Sequence, residues 1–555
     1  MTAVDTRVRR SAQPAASRPG GALTGYGNML RFMLRRDRIR FPSWTLGLTM
    51  LLAYFSTVLP IVFPEASDLE AFAVLSSNPA AALLMGPGFA GYDLSLGLFL
   101  AGTYGLYLMI GAAIMSILTI ARHTRVEEQS GRAELVRASV VGRHAPLSAA
   151  LTVAALMNIV IAVLMGAMLV GLGFDPAGSF ALGAAVGAAG LAFAGITAAC
   201  VQLTAFSRTA SSIAGVVLGA AFVVRGLGDM AQAQDTDAAW LSWLSPLGWS
   251  QKVVPFGADD WMPLLLSIAC FVVFAVIGFA LADRRDLAAG LVPPRRGSPH
   301  AAAWLASSFA LAFRLQRAAI IGWTASMLAM GLVYGSFTQA MIDGFSDAPP
   351  AVLALFGGED DMLTGYLGMM GLLIGMITAI FAILSVQGLR SEEDDGRSEP
   401  VLAAAVSRPG WLGSWLGVAA LGIVVLLLAG GFGEALGVVL STGSGDLFWQ
   451  VVWGHTVHAP AAWVVLAVAG LLYGAAPRWL GLAWILFGFS FFMGFFGQML
   501  DVPEWVENLS PFAHIGRYPG GEVSAVAIVV LTGIAAVIAA LALVAYRRRD
   551  LRGGA

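Results

Sequence analysis

Charge is scarce in this sequence. Asp, Glu, Lys and Arg together make up 12% of 555 residues, against 58% apolar residues and a mean hydropathy of +0.78. Soluble domains are about one quarter charged, so this scarcity excludes an ordinary water-soluble protein and points to a bilayer. Lysine is nearly missing, with Lys252 the only one, and the net charge is −2. No basic stripe with interleaved aromatics occurs, which excludes a nucleic-acid-binding surface. The two cysteines, Cys200 and Cys270, fall in apolar runs, so neither a disulfide nor a CxxC metal site is expected. A phosphate-binding loop needs GxxxxGK[ST], and Lys252 in "GWSQKVV" has neither the glycines nor the following Ser or Thr. HExxH, a nucleophile elbow and acidic metal motifs are also missing, so no catalytic residue, metal site or cofactor site is expected in this chain. Residues 1–27 are rich in Ala, Arg, Pro, Ser and Gly, lack the apolar segment of a secretory signal and read as a disordered tail.

What is there is a series of long apolar runs. A helix needs roughly 20 apolar residues to cross the hydrocarbon core. Twelve runs qualify: Ser43–Phe63, Leu94–Ala121, Ser148–Leu172, Phe180–Phe206, Ser211–Met230, Trp261–Ala282, Ala319–Met341, Met362–Val386, Trp411–Leu436, Phe448–Ala475, Trp479–Leu500 and Val523–Tyr546. The fold class is therefore an all-α polytopic membrane protein with twelve transmembrane helices. Arginine alternates between successive connections. Arg31, Arg35, Arg36, Arg38 and Arg40 precede the first span, whereas Glu65, Asp68, Glu70 and Asp93 follow it, and the pattern continues to Arg547, Arg548 and Arg549. The positive-inside rule then puts both termini in the cytoplasm of a cell membrane.

The chain repeats itself. Gly131 and Gly396, Glu134 and Glu399, and Pro246 and Pro511 are each 265 residues apart, and "RRDL" at Arg284 recurs at Arg548. A common offset across separate motifs indicates two parallel six-span halves. The expected organisation is a cytoplasmic tail and interfacial helix (1–42), a first half (43–290), a linker and interfacial helix (291–318) around "LVPPRRGSPH", and a second half (319–555).

The densest charge lies in "VEEQSGRAELVRASVVGR", Val126–Arg143, and again in "SEEDDGRSEPVLAAAVSR", Ser391–Arg408. Leu135, Val136, Ser139 and Val140 fall at helical spacing, with Glu127, Glu128, Arg132 and Arg137 facing elsewhere. A solvated surface helix would suffice for such a segment. The twice-used pattern EExxGRxE argues instead for a docking helix, because a merely soluble face needs no fixed spacing.

These segments resemble the loop between the second and third spans of type-2 permeases of ATP-binding cassette transporters, which commonly reads "REREsGTLExLLatPvsR". Gly131 and Gly396 stand at its glycine, Glu134 and Glu399 at its later glutamate, and Arg143 and Arg408 at its closing arginine. The "LSP" before the last span of each half is similar too. The single-chain, two-half form is most similar to actinobacterial permeases of the polyketide-antibiotic, tetronasin type. Departures are Arg132 and Arg397 near the usual Thr, Pro400 interrupting the second helix, and the missing proline of the closing motif, which set the two copies apart. The resemblance implies an exporter of bulky hydrophobic compounds. It also implies coupling helices that contact a separate ATPase subunit, present in two copies and carrying the ATP and Mg. The implied contact residues are Glu127, Glu128, Gly131, Arg132 and Glu134, with Glu392, Glu393, Gly396, Arg397 and Glu399. It further implies that the second and fifth spans of each half line the route, through Tyr104, Tyr107, Met109, Met369, Met370, Phe491, Phe492, Met493 and Phe495; such residues also serve as plain helix packing.

"NMLRFMLRRDRIRFPSW", from Asn28, and "WLASSFALAFRLQR", from Trp304, read as interfacial helices ahead of the first and seventh spans, or as topology anchors. Two Trp-bearing outer segments, 239–256 and 502–521, suit re-entrant helices or aromatic belts. Among ionisable groups near spans, Arg225 and Asp229 are expected to pair at i,i+4, and Glu434, His455 and His458 to serve polar packing, with no acid at mid-span. A major-facilitator-like secondary transporter also has twelve spans in two halves, but calls for a short second loop and an intramembrane acid.

Overall fold

The computed structural model describes residues 21–62, 82–83, 86, 92–137, 141–286, 288–293, 297–339, 362–496 and 503–550. Among the described residues the chain is helical, eleven helices are long and apolar enough to cross a membrane, and the fold divides into two compact units, Met1–Arg296 and Gly297–Ala555. Of the disordered tail expected over residues 1–27, residues 1–20 lie outside the described residues, whereas 21–27 are ordered: the Ala22 and Thr24 carbonyls accept from the His144 and Gly142 amides, and Tyr26 opens α1.

The first unit contains α1 (Tyr26–Arg36), α2 (Arg40–Val62), α3 (Leu96–Ala121), α4 (Arg132–Arg137), α5 (Ala145–Gly171), α6 (Pro176–Leu203), α7 (Ser207–Ala233), α8 (Pro246–Gln251) and α9 (Leu264–Ala282). Its centre is α6, which packs against α3, α5 and α9. Asp175 caps α6 by accepting from the Gly178 amide at 3.0 Å, and Pro176 follows at the first helical position, where no amide is needed. Small residues let neighbouring backbones approach. A Cβ at Gly183 would stand 2.3 Å from the Ala162 carbonyl oxygen, so Gly183 is where α5 and α6 touch.

The second unit contains α10 (Ser308–Ser336), α11 (Met362–Asp394), α12 (Ser398–Ala403), α13 (Arg408–Thr442), α14 (Phe448–Thr456), α15 (Ala459–Ala475), α16 (Ala483–Phe496) and α17 (Ala525–Arg548). Here α10 and α13 cross through two small-residue stripes. Gly331 would meet the Gly430 carbonyl at 2.1 Å, and Gly433 the Leu328 carbonyl at 2.1 Å, if either carried a Cβ.

Three expectations change. The segment from Trp304 is not a separate interfacial helix, because α10 runs unbroken from Ser308 into the span. In the first unit Pro42, in the first turn of α2, crowds the preceding backbone and separates α2 from α1; no proline occurs in α10. The run Phe448–Ala475 is long and apolar enough to cross as one span, as expected, but its helix is interrupted at Val457 and His458, where Pro460 lacks an amide and crowds the Thr456 carbonyl. The eleventh expected span begins with a 3₁₀ turn, Pro477–Leu482, and its far end lies outside the described residues.

Candidate functional site

The two charged loops have the same backbone. In each, a long helix stops two residues before a glycine with φ +72°, Gly131 or Gly396, and a six-residue helix follows; in the first copy α3 reaches Gln129 through a π-helical turn at Arg122–Val126. The Gly131 amide donates to the Glu128 carbonyl at 3.2 Å, and the Gly396 amide to the Glu393 carbonyl at 2.9 Å. An added Cβ would meet nothing within 4 Å at either position, so the left-handed backbone alone demands glycine. Pro400 does not interrupt the second helix as expected. It sits in the first turn of α12, where amides have no intrahelical acceptor.

The side chains correct the sequence reading more sharply. Glu128 does not face outward: its carboxylate takes Arg285 in a two-pronged pair at 2.7 and 2.9 Å, and Arg125 at 2.8 Å. Arg285 is the second arginine of the first "RRDL", just past α9. Its counterpart in the repeat, Arg549 after α17, meets Glu393 at 2.5 Å while its guanidinium lies over the Tyr473 and Tyr546 rings; Tyr473 also donates to Glu393. The closing arginines reach the same places. Arg143 donates to the Arg285 carbonyl at 3.0 Å and Arg408 to the Arg549 carbonyl at 2.7 Å, capping the end of each last helix. Each loop is thus clamped at both ends to the last helix of its own unit. The arginine of "GR" stays outside: Arg132 and Arg397 are about half exposed, and Glu134 and Glu399 beyond them are exposed too. Glu127 pairs with Arg36 and Arg132, and Glu392 holds Arg397 at 2.8 and 2.9 Å. The Glu392 hydrogen bond raises the Arg397 pKa above its ordinary value, keeping the charge fixed. The apolar positions Leu135, Val136, Ser139 and Val140 lie outside the described side chains.

Beneath the first loop, Asp37 in the break between α1 and α2 meets His123 at 2.5 Å and Arg122 at 2.7 Å. Burial pushes its carboxyl up, but the His123 hydrogen bond and the charges of His123, Arg122 and Arg40 outweigh that and leave it below the usual range.

Sequence reasoning missed the anchors. The recurrence of "RRDL" was the signal, since a charged tetrapeptide kept in register with the glycine motif implies a shared partner. The candidates for the route scatter. Met109 is core, Tyr104 stacks on Phe55 at 3.9 Å, Tyr107, Phe491 and Phe492 are exposed, and Met369 and Met370 are half-buried. Met493 lines a cavity of about 370 Å³ with Leu372, Met376 and Phe512. The Phe495 side chain lies outside those described. Arg225 and Asp229 pair at 3.1 Å, both buried, as their spacing implies. Glu434, expected near the end of its span at Leu436, lies deeper in it than that. Helix α13 continues to Thr442, and Glu434 is fully buried and 2.9 Å from His455. Among the described residues, no three His, Cys, Asp or Glu are grouped to hold a metal ion.

An all-helical membrane fold in two units, each tying a charged loop to its last helix, defines a polytopic membrane permease. The family model described as the C-terminal domain of multidrug efflux system permease Rv1217c matches residues 27–281 and 305–547. The multidrug efflux system permease protein Rv1217c of Mycobacterium tuberculosis (strain ATCC 25618 / H37Rv) is 36% identical over 550 residues, 98% of each chain. The chain belongs to this permease family.

Proposed function

We propose that this chain is the membrane permease of an ATP-driven exporter, moving bulky hydrophobic compounds out of the cell with two copies of a separate ATPase subunit seated on its two loops. The observation that carries the reading is the pair of matching loops, each with an outward Arg and Glu and an inward Glu clamped to the last helix of its unit. A partner pressing on α4 or α12 would displace Glu128 or Glu393, and the ion pairs would pass that displacement to α9 or α17. Whole-chain likeness to a multidrug efflux permease supports export as the direction and hydrophobic drugs as the cargo. The tetronasin type of polyketide remains one such cargo. In this reading both termini and both loops are cytoplasmic, and hydrolysis of ATP with its Mg belongs to the partner, since the chain carries no GxxxxGK[ST].

The test is reversal of the outward charges. With Glu134→Arg and Glu399→Arg combined, a tagged chain purified in mild detergent should insert normally yet lose its co-purifying ATPase subunit and its ATP-dependent efflux. If wild type purifies alone and transports on an ion gradient in ATP-free vesicles, the chain is a secondary transporter and the proposal fails.

A further inference from the structure

Two ionisable side chains meet inside the second unit, away from the loops, and a third is buried three residues on. Glu434 on α13, His455 in the last turn of α14 and His458 in the break before α15 are 0%, 1% and 0% exposed. Glycines press neighbouring backbones against the rings. A Cβ at Gly375 of α11 would lie 2.8 Å from His458 Cβ, and one at Gly431 of α13 would lie 3.2 Å from His455 Cβ. Ionisable groups at such depth are costly and call for a reason.

The hydrogen-bond geometry counts a proton. His455 Nδ1 lies 2.9 Å from the Val451 carbonyl oxygen, which can only accept, so Nδ1 carries hydrogen. On the other side of the ring, Nε2 lies 2.9 Å from a Glu434 carboxylate oxygen, an ion-pair distance without hydrogen-bond alignment, and neither Nε2 nor either Glu434 oxygen has a hydrogen-bond partner. A neutral ring protonated at Nδ1 offers a lone pair at Nε2, and a carboxylate offers another. The contact is attractive only with one proton between them, on nitrogen as an imidazolium or on oxygen as an acid. In both forms the pair is net neutral. Removing the proton leaves an unpaired buried carboxylate, and adding a second leaves an unpaired buried cation.

His458 stands three residues on, and neither of its ring nitrogens has a hydrogen-bond partner. It is a neutral base beside the pair, with the Phe512 ring 6.3 Å away. From α11 Tyr366 faces Glu434, and its hydroxyl donates to the Tyr334 carbonyl of α10 at 2.8 Å. Neither α13 nor α14 brings another charged side chain to this depth. The corresponding helices of the first unit, α5 and α6, contain no acid and no histidine. The fold is therefore built once without these groups, and packing alone does not require them in the second copy.

We propose that Glu434 and His455, with His458 as their neighbour, form a proton-binding site in the second unit, and that transport depends on pH through it. This goes beyond the exporter reading, which needs no proton. While the cluster is buried its proton has no path to water, so exchange requires a conformation that reaches water. Proton occupancy and conformation are then linked, and pH shifts the balance between conformations.

The chain has six histidines, few enough for ring-by-ring nitrogen NMR of the full-length, imidazole-labelled protein in lipid. In wild type the His455 ring should carry a proton at Nε2 as well as Nδ1, held by the Glu434 charge, and Glu434→Gln should abolish that signature. Efflux of a lipophilic dye from native-membrane vesicles should vary with pH by up to about tenfold per unit, the limit for one proton. The variants E434Q and H455Q should flatten that profile, whereas H458F should only shift it. A His455 signal unchanged in E434Q, or E434Q and H455Q pH profiles that superimpose on wild type, would overturn the proposal. The NMR arm needs no ATPase partner, so its outcome is separate from the fate of the exporter reading.

Discussion

Cutting the clamp of the first loop should destabilise the unit, while reversing its exposed charges should not. Glu128→Ala leaves Arg285 and Arg125 without their carboxylate, and those side chains are 9% and 0% exposed. Breaking a buried pair by removing one partner costs about 3–5 kcal/mol, because the remaining charge is left uncompensated. Arg285 retains its bond to Gln202 at 2.6 Å, and Arg125 its bond to the Ala289 carbonyl at 2.9 Å, so the lower end, about 3 kcal/mol, applies. Glu134→Arg on the exposed face should stay within about 0.5 kcal/mol of wild type. Thermal unfolding of the purified chain in one detergent, with tryptophan fluorescence as the signal, separates the two. If E128A melts with wild type while E134R falls, the inward and outward assignments are reversed, and the mechanical link between loop and α9 is wrong.

Three further outcomes follow from the same geometry. Gly131→Ala and Gly396→Ala place a side chain in a left-handed backbone and should each cost about 1–2 kcal/mol, read as a lowered unfolding temperature, with no steric clash to add to it. Asp37→Asn should cost about 2–3 kcal/mol at neutral pH, since it unpairs His123 and the partly exposed Arg122. Its folded carboxyl lies below the ordinary value, so the contribution is complete above about pH 3.9 and disappears as pH falls through the lower folded value. Unfolding temperatures of wild type and D37N measured across acidic pH should therefore converge. In Pro460→Ala, α14 and α15 should join into one helix, seen as added helical signal by circular dichroism, because the freed amide can bond the Thr456 carbonyl.

Much of the architecture was legible because a bilayer imposes a simple rule: long apolar runs must be helices. Spans such as Ala145–Gly171 and Pro176–Leu203 fall within a few residues of the runs read from sequence. Glycine at the centre of EExxGRxE also announced its turn, since a left-handed residue between two helices favours glycine. What hydropathy could not show was direction. Glu127 and Glu128 are adjacent and chemically identical, yet one lies beside Arg36 and Arg132 and the other is held by Arg285, which is 157 residues away. The depth of Glu434 was also hidden: the apolar run was read to Leu436, whereas the helix continues to Thr442, where Ser441 donates back to the Gly335 carbonyl and Thr442 to the Val438 carbonyl.

The two loops share a backbone and a clamp but not a charge. Where the first reads Gln129 and Ser130, the second reads Asp394 and Asp395, and all four side chains are exposed. The second loop therefore shows a partner two more negative charges on the same frame. Arg397 offsets part of this by pairing with Asp395 at 2.7 Å, and Arg390 lies 3.4 Å from Asp394, yet both acids remain about half exposed. Exposed charges govern encounter and salt dependence more than affinity. In the exporter reading, two identical partner subunits would then be recruited at unequal rates at low ionic strength, the loop whose charge better complements the partner having the advantage. Raising salt from low to physiological strength shortens the screening length from about 30 Å to about 8 Å, so that advantage should shrink. The combined variant Asp394→Gln and Asp395→Ser should bring the second loop's association rate to that of the first. In binding kinetics, the wild-type chain should show two association phases at low salt and the variant one. A single salt-independent phase in wild type would mean that the added acids do not face the partner.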